Sequence, residues 1–346
     1  MMSWFWMVVG RRWTRVALAP ISLAAVTLAA GTALTHEGSR APAAVPSELS
    51  EPIVPIPLSR ALDSKRVGLG EQLFQDVRLS GDRGRSCATC HPLEQGGMDG
   101  RPVTAEGTLH ARNTPTVFNV GLNSSFNWDG SAVTLEAHAE TVLRNPRLMD
   151  MTWPELLARL GADAGYVSAF GAAYPNGLTR PNVLDALASF ERSLETPDSA
   201  FDRYLRGERN ALTESERRGY MLFKTYGCAT CHQGMNVGGN MFQKFGVFAD
   251  VDVQQPGIDL GRYHVTGVSR DRQVFRVPSL RNVAVTGPYF HDGRTASLEA
   301  AVDTMARVQL GRTLRPGETK LIVEFLHTLT GRYRGRLLGQ APPVDR

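Results

Sequence analysis

Apolar and polar residues along this chain recur with helical rather than strand-like spacing. The segment Pro181-Asn-Val-Leu-Asp-Ala-Leu-Ala-Ser-Phe-Glu-Arg-Ser-Leu194 predicts an amphipathic helix with proline at its start. Thr152-Trp-Pro-Glu-Leu-Leu-Ala-Arg-Leu160 predicts another, and residues 316–329 a C-terminal helix that stops by Gly331. Gly70-Glu-Gln-Leu-Phe74 and Gly219-Tyr-Met-Leu-Phe223 each read as part of a helix. The second of these opens with a capping box, Thr213-Glu-Ser-Glu216. No run alternates convincingly with the two-residue period of a half-buried strand. The expected fold class is therefore all-α.

The pattern also repeats. Each Gly-x-x-Leu-Phe helix stands shortly before a Cys-Ala-Thr-Cys-His run, at Cys87–His91 and Cys228–His232. A proline-containing loop follows each: Arg112-Asn-Thr-Pro-Thr116, then Val277-Pro-Ser-Leu-Arg-Asn282. Beyond the loops, Trp128-Asp-Gly-Ser-Ala-Val-Thr-Leu-Glu-Ala137 lines up with His291-Asp-Gly-Arg-Thr-Ala-Ser-Leu-Glu-Ala300. Both read as an Asp-Gly turn leading into a helix capped by Thr134 or Ser297. An internal duplication into two similar domains follows.

Composition changes this picture little. The chain has 346 residues, enough for about two domains. Hydrophobic residues at 42% and charged residues at 21% are ordinary for a globular protein. The net charge of +4 falls to +1 when the three arginines of residues 1–35 are removed (4 − 3), and no basic patch argues for nucleic acid. Arg11, Arg12 and Arg15 precede an uncharged, alanine-rich run over 16–35, the pattern of a secretory signal. About 20 apolar residues also suffice for a membrane tether; Pro20 and the small residues favour cleavage. The expected organisation is a signal or anchor over 1–35, a linker over 36–60, two domains over 61–205 and 206–335, and a tail over 336–346. The expected location is the periplasm.

The four cysteines of an exported chain would ordinarily pair as disulfides. Here all four fall in the two Cys-x-x-Cys-His runs. Covalent haem needs two thiols about one helical turn apart and an adjacent imidazole for the iron, and this motif supplies them. A zinc site would want further ligands at comparable spacing. Cys87, Cys90, Cys228 and Cys231 are thus expected to attach two haems c, with His91 and His232 as iron ligands. Met305 lies fourteen residues after His291, on the helix after Ser297; its counterpart, fourteen residues after Trp128, is Val142. A thioether at 305 can close the second haem's sixth position or simply fill the core. Valine cannot ligate iron, so the repeat proposes one closed haem and one able to open.

From about Arg60 to Arg334 the chain resembles the bacterial di-haem cytochrome c peroxidases. The resemblance rests on Cys87–His91, Arg112-Asn-Thr-Pro-Thr-Val-Phe-Asn119, Trp128-Asp-Gly130, Ala188-Ser-Phe-Glu-Arg192, Phe201-Asp-Arg-Tyr204 and Cys228–His232. Its longest stretch is Val277-Pro-Ser-Leu-Arg-Asn-Val-Ala-Val-Thr-Gly-Pro-Tyr-Phe-His-Asp-Gly293. It implies two cytochrome c-like domains. A high-potential His232/Met305 haem takes electrons from a small cytochrome or cupredoxin, and a low-potential haem in the first domain reacts with hydrogen peroxide. It further implies that Trp128 lies between the haems. Asn113, Thr286 and Pro288 match positions that hold calcium, and the family often forms homodimers.

Three departures stand out. His138 occupies the position where the family commonly has glutamine. Leu148, in Asn145-Pro-Arg-Leu-Met-Asp150, stands where the family has its peroxide-side glutamate. Leucine cannot move protons, so His138, with an unperturbed pKa near neutrality, is the candidate replacement, with Asp150 or Glu140 behind it. The removable histidine ligand has only His110 as a counterpart, close to Arg112-Asn113 rather than well before it. Two rival readings remain. One is an enzyme that oxidises a residue of a partner protein, as related methylamine-utilisation enzymes do, although these carry tyrosine at the position of Met305. The other is a non-catalytic electron carrier.

Overall fold

A computed structural model describes residues 51–101, 112–249 and 258–340. Its longer elements are helices, in this order: α1 (Ser64–Gln75), the single turn α2 (Cys87–Cys90), α3 (Leu135–Arg144), α4 (Trp153–Gly161), α5 (Ala164–Ala173), α6 (Arg180–Ser193), α7 (Ala200–Leu205), α8 (Glu214–Thr225), the single turn α9 (Tyr263–Thr266), α10 (Leu298–Leu310) and α11 (Pro316–His327). Two short antiparallel ribbons complete it: β1 (Phe242–Lys244) with β2 (Val274–Arg276), and β3 (Arg332–Tyr333) with β4 (Arg336–Leu337). The mainly helical class expected from the pattern holds.

The caps are where the side chains predicted them. Thr134 accepts from the Ala137 amide and Ser297 from that of Ala300. Thr213 and Glu216 form the reciprocal box at the start of α8. α11 ends at His327, two residues earlier than its pattern suggested, where the Thr328 hydroxyl turns back onto the Phe325 carbonyl. α5 was not foreseen: Asp163 caps it, and only Tyr166 and Phe170 are buried along it, too sparse a stripe to read.

The two larger hydrophobic cores lie one in each half. In the first, α1 crosses α6, with Phe74 edge-on to Phe190 at 5.2 Å. In the second, α8 crosses α11, with Phe223 against Phe325 at the same 5.2 Å. Glycine permits both crossings. A Cβ on Gly70 would sit 2.0 Å from the Ala186 carbonyl oxygen, and one on Gly219 would sit 1.9 Å from that of Leu321. The duplication thus reaches α6 and α11, whose sequences do not advertise it.

The halves meet at a buried polar knot. Asn119 and Asn282 are both fully buried, both left-handed, and each donates its backbone amide to the end of its own half's helix, at Leu194 and Leu329. Both side-chain amides converge on Thr196. Chain segments outside the helices also pack. Ile53 and Ile56, within the stretch read as a linker, are buried, Ile53 in the second core. Leu338, within the stretch read as a tail, is buried in the first core. The buried pair Arg281–Asp202 (2.7 Å) fastens the entering segment: Asp202 accepts from the Ile56 amide and Arg281 donates to the Val54 carbonyl.

Candidate haem sites

Each Cys-x-x-Cys run is a single helical turn, α2 in the first half and a 3₁₀ turn at Cys228–Thr230 in the second. Two thiols three residues apart thereby fall on neighbouring positions of one turn. No disulfide joins the four cysteines. Burial pushes the Cys87 thiol up to about 12 and Cys228 to about 11. No group of three or more His, Cys, Asp or Glu that would hold a metal ion occurs among the described residues.

Both histidine rings are anchored by backbone carbonyls. His91 Nδ1 donates to the Gly97 carbonyl (3.0 Å), and His232 Nδ1 faces that of Val237 (3.4 Å). Nδ1 is thereby engaged and Nε2 is the nitrogen that could serve as a ligand, the arrangement that fixes tautomer and ring orientation in metal-binding histidines. Burial lowers both pKa values, His232 to about 4, keeping the rings neutral.

In the second half a cavity of about 500 Å³ is lined by Cys228, Cys231, His232 and Met305 together. A haem fits this lining: two thiols and an imidazole on one part of the wall, a thioether on another, and mainly apolar walls between. Trp128, Asn113, Thr286 and Pro288 line the same cavity. Met305 and Val142 are each the eighth residue of their helices, α10 and α3, as the repeat register requires.

Trp128 is nearly buried and donates its Nε1 proton to the Asn113 carbonyl (2.8 Å). Its repeat partner His291 lies edge-on to it, with centroids 6.4 Å apart, and stacks on Phe275 at 4.2 Å. Arg112 clamps this region, bonding Asp129 (2.7 Å) and both oxygens of Asp259. Asn113 donates Nδ2 to the carbonyls of Pro288 (2.7 Å) and Phe290 (3.2 Å), while its own Oδ1 is buried without a hydrogen-bond partner. Thr286 spends its hydroxyl on the Asn282 and Val283 carbonyls.

At the first site, His138 extends from α3 and its Nε2 lies 3.1 Å from Asn127 Oδ1. The Asn127 amide nitrogen is engaged by Ser131, so this oxygen accepts and His138 carries its proton on Nε2. The expectation of a near-neutral pKa is corrected here. Burial first, then the nearby charges of His91 and Arg276, lower His138 to about 4. Leu148 packs against the first core. Glu140 is turned away, bonded to Arg180 and to Trp153 Nε1, and Asp150 is exposed. His110 lies outside the described residues.

Two residues escaped the sequence reading. Glu191 is buried, and desolvation pushes it up to about 8; its charge is in turn a lesser cause, after burial, of the raised Cys87 thiol. It sits on an amphipathic helix among residues that resemble the family, and nothing in the pattern separates it from a surface glutamate. Arg276 is 5% exposed and lines the second cavity. Its only sequence signal is its place just before the Val277-Pro278 loop.

Comparison with known proteins points to one family. The family model for di-haem cytochrome c peroxidase matches residues 64–210. The chain is 43% identical over 292 residues to the cytochrome c peroxidase Ccp of Escherichia coli, a match covering 83% of this chain but 63% of that longer relative. It is 40% identical to the cytochrome c551 peroxidase of Nitrosomonas europaea over 86% of this chain and 89% of the relative. Among solved structures, a MauG-like protein associated with microbial copper homeostasis superposes with a TM-score of 0.69 at 29% identity, covering 83% of this chain and 95% of that one.

Proposed function

This chain belongs to the di-haem cytochrome c peroxidase family, and on that premise we propose that it reduces hydrogen peroxide to water with electrons from a small cytochrome or cupredoxin in the periplasm. The observation that carries the reading is the asymmetry of the repeat: Met305 shares a cavity with His232, whereas the same helical position in the first half is Val142. When bound, the two haems supply an iron that stores an electron and an iron open to peroxide.

The residues divide the remaining work. Cys87, Cys90 and His91 hold the peroxidatic group; Cys228, Cys231, His232 and Met305 hold the electron-transfer group. Trp128 stands at the wall of the second cavity, its indole fixed by the Asn113 carbonyl, where the family has its inter-haem tryptophan. Leu148 replaces the family's glutamate, and His138 takes over proton handling. Its Nε2 proton is committed to Asn127, and its Nδ1 lone pair takes a proton from one peroxide oxygen and returns it to the other, which leaves as water. Calcium is proposed at Asn113, Thr286 and Pro288. The orphaned, buried Asn113 Oδ1 beside backbone carbonyls supports an oxygen-ligated cation there. The basic, then apolar, N-terminal run supports export, and no described helix is long and apolar enough to cross a membrane.

The test is turnover by the haem-loaded protein with hydrogen peroxide and a reduced small cytochrome, followed with EPR. Oxidation of two donor equivalents per peroxide, with a high-spin haem appearing on half-reduction, is the expected result. Chelation of calcium is expected to lower that turnover. A long-lived oxidised state with negligible donor turnover would instead favour oxidation of a partner protein. Two low-spin, inert haems would make the chain an electron carrier.

A further inference from the structure

Arg276 is a buried cation without a counter-ion among the described residues. Its residue is 5% exposed, and it forms no ion pair with any described carboxylate. Its backbone amide donates to the Trp128 carbonyl (2.8 Å), and its Nε donates to the Asn127 carbonyl (3.2 Å). That tether holds the guanidinium, and neither terminal nitrogen has a hydrogen-bond partner among the described residues. The side chain lines the second cavity, whose described wall contains no aspartate or glutamate and no other arginine or lysine. A buried, unpaired charge is costly and persists where a partner neutralises it.

From this placement we infer that Arg276 binds a carboxylate brought into the cavity by its occupant, namely a propionate of the haem attached at Cys228 and Cys231. The guanidinium fork suits a carboxylate geometrically. Desolvation, with no opposing acid, lowers the Arg276 pKa to about 10, as expected of a site built to be completed by an anion. Arg281 is the contrasting case: equally buried, it carries its own partner, Asp202. The same contact ties the two sites together. Asn127 accepts from Arg276 through its backbone and from His138 through its side chain, so one residue links the propionate-binding cation to the proton-handling base.

The inference rests on a haem c at the second site, and the experiment separates the two. Haem content and axial ligation are read first by spectroscopy; absence of a His/Met haem would remove the premise. The reduction potential of each haem is then measured by spectroelectrochemical titration in the wild type, Arg276→Gln and Arg276→Lys. A nearby positive charge disfavours the oxidised iron. Arg276→Gln is therefore expected to raise the oxidised-to-reduced ratio of the second haem at fixed potential on the order of tenfold, with a smaller change at the first and with Arg276→Lys close to wild type. An unchanged second haem, or a lysine variant shifted as far as the glutamine variant, would overturn it. If the glutamine variant fails to load haem, infrared spectra of wild type and Arg276→Lys with isotope-labelled propionates decide. A carboxylate band that moves between them supports the contact, and an unmoved band rejects it.

Discussion

His138 shows how burial reassigns a side chain's chemistry. An exposed histidine would titrate near 6.5 and serve as acid or base at neutral pH. Here desolvation, with His91 and Arg276 nearby, lowers it to about 4, so it is neutral throughout the physiological range. As a base it is disabled only when protonated. The peroxidase kcat/KM is therefore expected to fall on the acid side through about pH 4, not through 6.5, if this group limits the reaction. His138→Ala is expected to remove that limb and lower kcat/KM by roughly 10²–10⁴-fold. A pH–rate profile for both proteins checks this; an acid limb near 6.5 that survives the substitution excludes His138 as the base. The folded-state pKa lies below the unfolded one, so the unfolded chain binds the extra proton. Stability is therefore lost as pH falls from about 6.5 toward 4.

Between elements, the decisive contacts are the two glycine crossings. Gly70 lets α1 approach the backbone of α6, and Gly219 lets α8 approach that of α11. A methyl at either point meets a carbonyl oxygen and forces the helices apart. Gly70→Ala and Gly219→Ala are each expected to destabilise by about 1–3 kcal/mol or more, outweighing the gain in helix propensity of about 1 kcal/mol. Chemical denaturation of the haem-loaded variants measures it. Gly68, one helical position pair away, has nothing within 4 Å of an added Cβ, so Gly68→Ala serves as the control and is expected to be neutral or stabilising. Equal effects at positions 68 and 70 would refute the packing account. The aromatic pairs beside these glycines, Phe74–Phe190 and Phe223–Phe325, are the lasting trace of one ancestral helix crossing used twice.

Over the whole molecule, the halves are bound by segments that look dispensable in one dimension. Residues 52–56 enter the second half, and Leu338 closes the first. The Asp202–Arg281 pair fastens the former, fully buried and bonded to the Ile56 amide and Val54 carbonyl. Asp202→Asn leaves the guanidinium uncompensated and is expected to cost about 3–5 kcal/mol. Limited proteolysis near residue 52 is expected to quicken in parallel. A stability loss under 1 kcal/mol would mean that the apolar contacts of Ile53 and Ile56 hold the segment without the ion pair.

What the sequence alone determined is everything carried by local spacing. A thiol pair with its adjacent histidine, a cap three residues before its recipient, and a repeat register pairing Met305 with Val142 all lie within a few turns of chain. Short-range geometry therefore sets them wherever the chain folds. What only the tertiary structure decided depends on neighbours far apart in sequence. Asn127 and Arg276 are separated by 149 residues, yet they share a hydrogen bond beside Trp128. Glu191 and His138 have ordinary sequence surroundings, and only enclosure by other segments moves their pKa values in opposite directions. Only the packing brings Met305 of α10 and the Cys228–His232 turn to the wall of one cavity. Desolvation and convergence are properties of packed segments, which no linear pattern encodes.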